Sequence, residues 1–204
     1  MMPHRSDTYA NYAQLARHET EGQDYVLICR QGTSSVALIA PHGGGIEPGT
    51  VDLADAVAVA DHSLYAFKGI KPVGNATLHI TSHRFDEPTG LQMAERADVV
   101  VTIHGHHDRR QELVYIGGRH EALSEKIRQS LSCAGFRAEI STRPGLQARH
   151  LKNICNRCRC GQGVQLEISR ALREKMFSHL SRRPSRSKTP HFYRFVEALR
   201  WSLQ

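Results

Sequence analysis

The sequence predicts an α/β fold: a single three-layer domain around a mixed, mostly parallel central sheet. Three observations predict it. Short apolar runs alternate with segments of helical spacing along the whole chain. The run Val99-Val100-Val101-Thr102-Ile103 is continuously apolar and β-branched, as a strand covered on both faces must be. The runs at 35–41 and 99–103 each end in a His-Gly pair, and ligands of open α/β sheets bind outside the carboxyl ends of strands.

Residues 8–18 place Tyr9, Tyr12, Leu15 and Ala16 at helical spacing, with Asp7 positioned to cap. Residues 24–30 and 35–41 read as strands on either side of a turn at 31–33. Pro48 suits the opening of a helix over 51–60. Residues 64–68 and 78–82 read as strands, 91–97 as a short helix, and 99–103 and 112–118 as strands. A helix over 121–133 carries Leu123, Ile127 and Leu131 and is stopped by Gly135. A strand at 136–140 precedes an irregular polar stretch at 143–162. A strand at 164–168, a helix at 169–176 and a final helix at 191–203 complete the chain.

The 204 residues suit one domain, 1–204, in which the basic segment 181–190 reads as a flexible, solvated stretch. No apolar run reaches the length of a membrane span. The start of the chain lacks the charged-then-apolar pattern of a secretory signal. Five cysteines, three of them crowded between 155 and 160, do not form a disulfide framework. They suit a reducing cytoplasm, as free thiols rather than a redox pair or a structural zinc knuckle completed by His150. The net charge of +7 points to a polyanionic partner, whether nucleic acid, an anionic membrane surface or an acidic polymer, and charge alone does not choose among them. Aromatics at 6% form no visible stacking platform for single strands.

The strongest local pattern is Pro41-His42-Gly43-Gly44-Gly45-Ile46-Glu47-Pro48. Three glycines let the chain fold sharply after its strand, so that His42 and Glu47 can converge. His104 closes the second buried strand in the same way. Two imidazoles and a carboxylate suit one zinc ion with an open position. Glu167, between apolar neighbours in the run Val164-Gln165-Leu166-Glu167-Ile168, is a carboxylate whose burial needs a reason. Service as general base is one, and an ion pair with Arg170 is the other. Taken alone, the glycine loop also reads as a plain turn or a phosphate cradle.

Pro41-His-Gly-Gly-Gly-Ile-Glu-Pro-Gly-Thr50, Leu78-His-Ile-Thr-Ser-His83, Ile103-His-Gly105, Asn153-Ile-Cys-Asn-Arg157 and Gly163-Val-Gln-Leu-Glu-Ile-Ser-Arg170 resemble the phage-type poly-γ-glutamate hydrolase family. The likeness covers roughly residues 7–175. It implies a zinc carboxypeptidase-like fold, a single zinc on His42, Glu47 and His104, and Glu167 as catalytic carboxylate. It also implies hydrolysis of γ-glutamyl amide bonds in an acidic polymer or glutamyl peptide. Arg157-Cys-Arg-Cys160 departs from the family pattern. Arg157 and Arg170 are candidates to grip substrate carboxylates, and His83 to line the pocket beside His106, His107 and Asp108.

Two rival readings remain open at the level of sequence. One is a zinc amidohydrolase on another acidic amide, such as a peptidoglycan glutamyl link or a small acyl-amino acid. The other is a nucleic-acid-binding phage replication-associated protein. The expected species is a monomer without a membrane partner, cytoplasmic and released by lysis if phage- or prophage-encoded.

Overall fold

A computed structural model describes residues 7–182 and 185–204. Seven strands form one sheet: β1 (Tyr25–Arg30), β2 (Val36–Gly44), β3 (Ser63–Gly69), β4 (Val99–His106), β5 (Val114–Gly118), β6 (Ala138–Ile140) and β7 (Val164–Ser169). Their order across the sheet is β1-β3-β2-β4-β7-β5-β6. β3, β2, β4 and β7 run parallel to one another. β1 is antiparallel to β3 and β5 to β7, while β6 follows β5 in parallel. The carboxyl ends of β2, β3, β4 and β7 therefore share one edge of the sheet. The result is the mixed, mostly parallel sheet that the sequence predicts.

Consecutive residues of a strand point to opposite faces, and here both faces are covered. Leu38, Ala40, Val101 and Ile103 join a core shared with helices α2 (Thr50–Ala58), α4 (Glu121–Cys133), α5 (Arg170–Met176) and α6 (Pro190–Ser202). Ala37, Ile39 and Val100 join a second core with α1 (Tyr12–Leu15), α3 (Pro88–Arg96) and the 3-10 turn Ile154–Arg157. Each fully buried aliphatic side chain contributes roughly 1.5–3 kcal/mol. Apolar residues at every position thus stabilise a three-layer arrangement and no two-layer one. Among the described residues no helix is long and apolar enough to cross a membrane.

Several local expectations need correction. The helix expected over 8–18 shrinks to α1, capped by Asn11 through a bond from the Gln14 backbone N–H. Its aromatic residues are drawn into tertiary packing instead, Tyr12 edge-on to Tyr25 and Tyr9 stacked on His18. Asp7 caps nothing there; it reaches the 79–84 segment. Pro48 is not the first helical residue, because Gly49, at φ 94°, stands as N-cap of α2. Residues 78–82 form no strand. A 3-10 turn, Asn75–Leu78, leads into backbone whose polar groups bind side chains: the Ile80 carbonyl meets His42 and the Thr81 N–H meets Asp7. α3 starts three residues early because Glu87 caps it and Pro88 fills its first position.

Within the basic segment, Ser187–Lys188 (β9) pair with Phe177–Ser178 (β8), and Arg186 reaches Asp52 at 3.0 Å. Residues 183 and 184 of that segment lie outside the described residues, as do residues 1–6 of the expected signal-free start.

Candidate active site

The edge formed by the carboxyl ends of β2, β4 and β7 gathers His42, Glu47, His104 and Glu167. The β2–β3 register shifts between Ala40 and Gly43, where His42 stands. Such irregularities re-aim side chains beside active sites. Gly43 follows because a Cβ there would lie 2.2 Å from the Val51 side chain.

His42 Nε2 is 2.8 Å from the Ile80 carbonyl oxygen. A carbonyl only accepts, so Nε2 carries the proton and Nδ1 faces inward. That nitrogen lies 3.1 Å from Glu47 Oε1 and 3.1 Å from His104 Nδ1. His104 Nδ1 is 3.8 Å from Glu47 Oε2. Two donors on a tetrahedral zinc, each bonded at about 2.0–2.1 Å, stand about 3.3 Å apart. His42 Nδ1 thus stands near that spacing from both Glu47 and His104, while the Glu47–His104 approach, made by the other carboxylate oxygen, is longer. Their orientation is fixed from behind: the Gly105 N–H donates to Glu47 Oε2 at 2.7 Å, and Ser82 Oγ lies 3.4 Å from His104 Nε2.

His79 stands close by. One atom each of His42, Glu47 and His79 lie within 4.8 Å of one another, and the His79 ring is tilted over His42 with centroids 4.1 Å apart. Its Nδ1, however, is held 2.8 Å from Asp7 Oδ1. Asp7 Oδ2 also accepts from the Thr81 N–H and pairs with Arg84. His104 makes the tighter approach to His42.

Electrostatics separate the two carboxylates. Burial is the largest influence on the Glu47 carboxyl and would raise it, but the adjacent His42 imidazole, joined by His104 and His79, outweighs it and holds the group at about 2. The same pairing raises His42 against its own burial. Burial lowers His104 to about 3, which leaves it neutral and able to donate a lone pair. Glu167 is the opposite case: burial first, then the neighbouring Glu47 charge, push it up to about 8. Glu167 stands in register with His104 across β4–β7 and with Tyr115 across β5–β7. Its Oε1 accepts from Gln165 Nε2 at 2.8 Å, and Asn153 holds Gln165 in turn at 2.9 Å.

The arginines sort differently from expectation. Arg157 is held by Glu95 at 2.6 Å and is not brought into the cluster. Arg170 opens α5, bound to Glu174 and Ser181. His83 is exposed, its ring 5.0 Å from that of His150. Asp108 accepts from the backbone of Arg110 and Gln111, and His106 meets Tyr115 edge-on.

Two arginines were missed. Arg173, 2% exposed, donates to the carbonyls of Pro48, His106 and Ile168 at 2.7, 3.1 and 3.1 Å. It thereby ties together the backbone next to Glu47, His104 and Glu167. Its signal was present: at helical spacing it shares a side with Ser169 and Met176, both buried. Arg143 lies over the Tyr115 ring at 4.5 Å, one strand from Glu167. It sits in a stretch without periodicity, where no sequence signal marks it.

The cysteine loop stands apart from the cluster. Cys155 is buried, with its thiol pushed up, first by burial. Cys158 Sγ lies 3.6 Å from Cys160 Sγ. All five cysteines are free thiols.

A family model described as poly-gamma-glutamate hydrolase matches residues 9–198. The chain superposes on a bacteriophage poly-gamma-glutamate hydrolase with a TM-score of 0.93 and 36% identity, covering 97% of each chain. It is 34% identical over 196 residues to the UPF0714 protein YndL of Bacillus subtilis (strain 168), covering 95% of this chain and 76% of that protein. A zinc-free structure of YndL superposes with a TM-score of 0.88 and 32% identity, covering 97% of this chain and 98% of that one.

Proposed function

The chain belongs to the poly-gamma-glutamate hydrolase family and is a hydrolase, and from that premise we propose that it cleaves γ-glutamyl amide bonds with one zinc ion on His42, Glu47 and His104. The observation that carries this reading is the convergence on His42 Nδ1 of Glu47 Oε1 and His104 Nδ1, each at 3.1 Å, with Glu167 in register with His104 beside them. The zinc-free form of YndL supports the choice of metal.

A bound zinc supplies a Lewis acid and lowers the pKa of a coordinated water to about 7. The protein's own groups do the rest. Glu167 takes the proton of the attacking water and delivers it to the departing nitrogen. Its proton affinity, raised to about 8 by burial and by Glu47, suits a group that must both accept and donate near neutral pH. Gln165 holds one carboxylate oxygen and leaves the other to work. Arg173, buried and with three of its five N–H donors on backbone carbonyls, positions the segments that carry Glu47, His104 and Glu167. Arg143, exposed and close enough to Asp108 to help lower its carboxyl, is the cation that faces an acidic substrate on the Tyr115 side. His83 contributes to the rim.

The test is hydrolysis of poly-γ-glutamate by zinc-loaded protein and by Glu167→Gln. The wild type shortens the polymer and the variant keeps its zinc without doing so. Equal turnover by both removes Glu167 from the role, and no cleavage by the wild type removes the substrate assignment.

A further inference from the structure

The loop that carries Glu47 has a second side. Its carboxylate turns inward to His42 and the Gly105 N–H, while the neighbours Ile46 and Pro48 form one wall of a groove of about 660 Å³. That volume falls in the range of roughly 300–1,000 Å³ typical of ligand sites. The groove lies at the same sheet edge as the zinc donors, because Lys71 follows β3, Pro48 follows β2 and Arg170 follows β7.

Among the described residues, three cations line it, namely Lys71, Arg170 and Arg182, together with the Ser181 and Ser185 hydroxyl groups, and no acidic side chain does. Lys71 and Arg170 are braced by Glu19 and Glu174 at 2.7 and 2.8 Å. Among the described residues no carboxylate pairs with Arg182, which is exposed. Arg182 is thus the cation of the groove left without a carboxylate, on the far side of the loop that carries Glu47.

We infer that this groove is a remote subsite for an anionic polymer, one that holds a carboxylate of a polyglutamate chain away from the bond being cut. The inference rests on the proposed hydrolysis of γ-glutamyl bonds. A polymer with a free carboxylate on every unit reaches both the zinc donors and the groove, whereas a dimer reaches only the former. Guanidinium matches carboxylate in shape as well as charge. The subsite therefore confers preference for long substrates without touching the chemistry.

The experiment compares Arg182→Glu with wild type on long poly-γ-glutamate and on a γ-linked glutamate dimer, and measures binding of the polymer to metal-free protein at two salt concentrations. Arg182 is exposed, so the variant folds. The expected result is a roughly five- to tenfold rise in KM for the polymer, kcat unchanged, and dimer kinetics unchanged. Polymer binding to the metal-free variant weakens and loses part of its salt dependence. An unchanged polymer KM overturns the subsite, and so does an equal loss on polymer and dimer. If the wild type cleaves neither substrate yet binds polymer in an Arg182-dependent way, the groove stands and the hydrolytic reading falls.

Discussion

A Cβ on Gly105 would lie 2.6 Å from the guanidinium carbon of Arg173. The absence of a side chain next to His104 is what lets a buried arginine reach the backbone of three site-bearing segments. Gly105→Ala is expected to push Arg173 from its carbonyls and to destabilise the fold by about 1–3 kcal/mol, as overpacking of a filled interior does. Zinc affinity falls with it. Thermal unfolding with and without zinc measures both, and an alanine variant with wild-type melting and metal binding sinks this account of Arg173.

His104 and His79 compete for the role of third zinc donor. His104→Ala is predicted to abolish stoichiometric zinc, since it removes an atom 3.1 Å from His42 Nδ1. His79→Ala should retain the metal at reduced affinity, because the His79 ring lies over that of His42 while His104 Nδ1 stands 3.1 Å from His42 Nδ1. Elemental analysis of both dialysed variants decides. Retention by His104→Ala with loss by His79→Ala reverses the assignment.

Glu167→Gln is expected to lower kcat by about 10²–10⁴, the usual worth of a general acid–base group. Zinc content should stay at the wild-type level. A variant within a factor of two of wild type would show that some other group moves the proton.

The same carboxyl gives a pH dependence to the metal-free protein. Its folded pKa of about 8 lies above the ordinary 4.5. The protonated form therefore favours the fold fully at low pH, and stability is lost as pH rises from about 4.5 through 8. Metal-free Glu167→Gln should lack that decline and melt higher than metal-free wild type at pH 8. Parallel stability–pH curves for the two proteins would contradict the shift.

Much of this was readable in the residues. β4 was legible because its run is apolar on both faces, β7 because Val164, Leu166 and Ile168 alternate with polar residues, and α4 because Leu123, Ile127 and Leu131 repeat at helical spacing. His42, Glu47, His104 and Glu167 were legible because polar residues interrupt or end such runs. What escaped depends on distant partners. The 78–82 segment looks apolar enough for a strand, yet its backbone is taken by His42 and Asp7, 38 and 74 positions away. Arg157 pairs with Glu95, 62 positions away, a partner that no local pattern marks. Arg143 has no local pattern; only the fold brings it over Tyr115.

Anomalous diffraction at the zinc absorption edge, from crystals grown with zinc, is the measurement that bears most directly on the metal centre. One peak is predicted, about 2.0–2.2 Å from His42 Nδ1, His104 Nδ1 and a Glu47 oxygen. No peak there, or one bonded to His79 while His104 stands away, would contradict the assignment of the zinc donors.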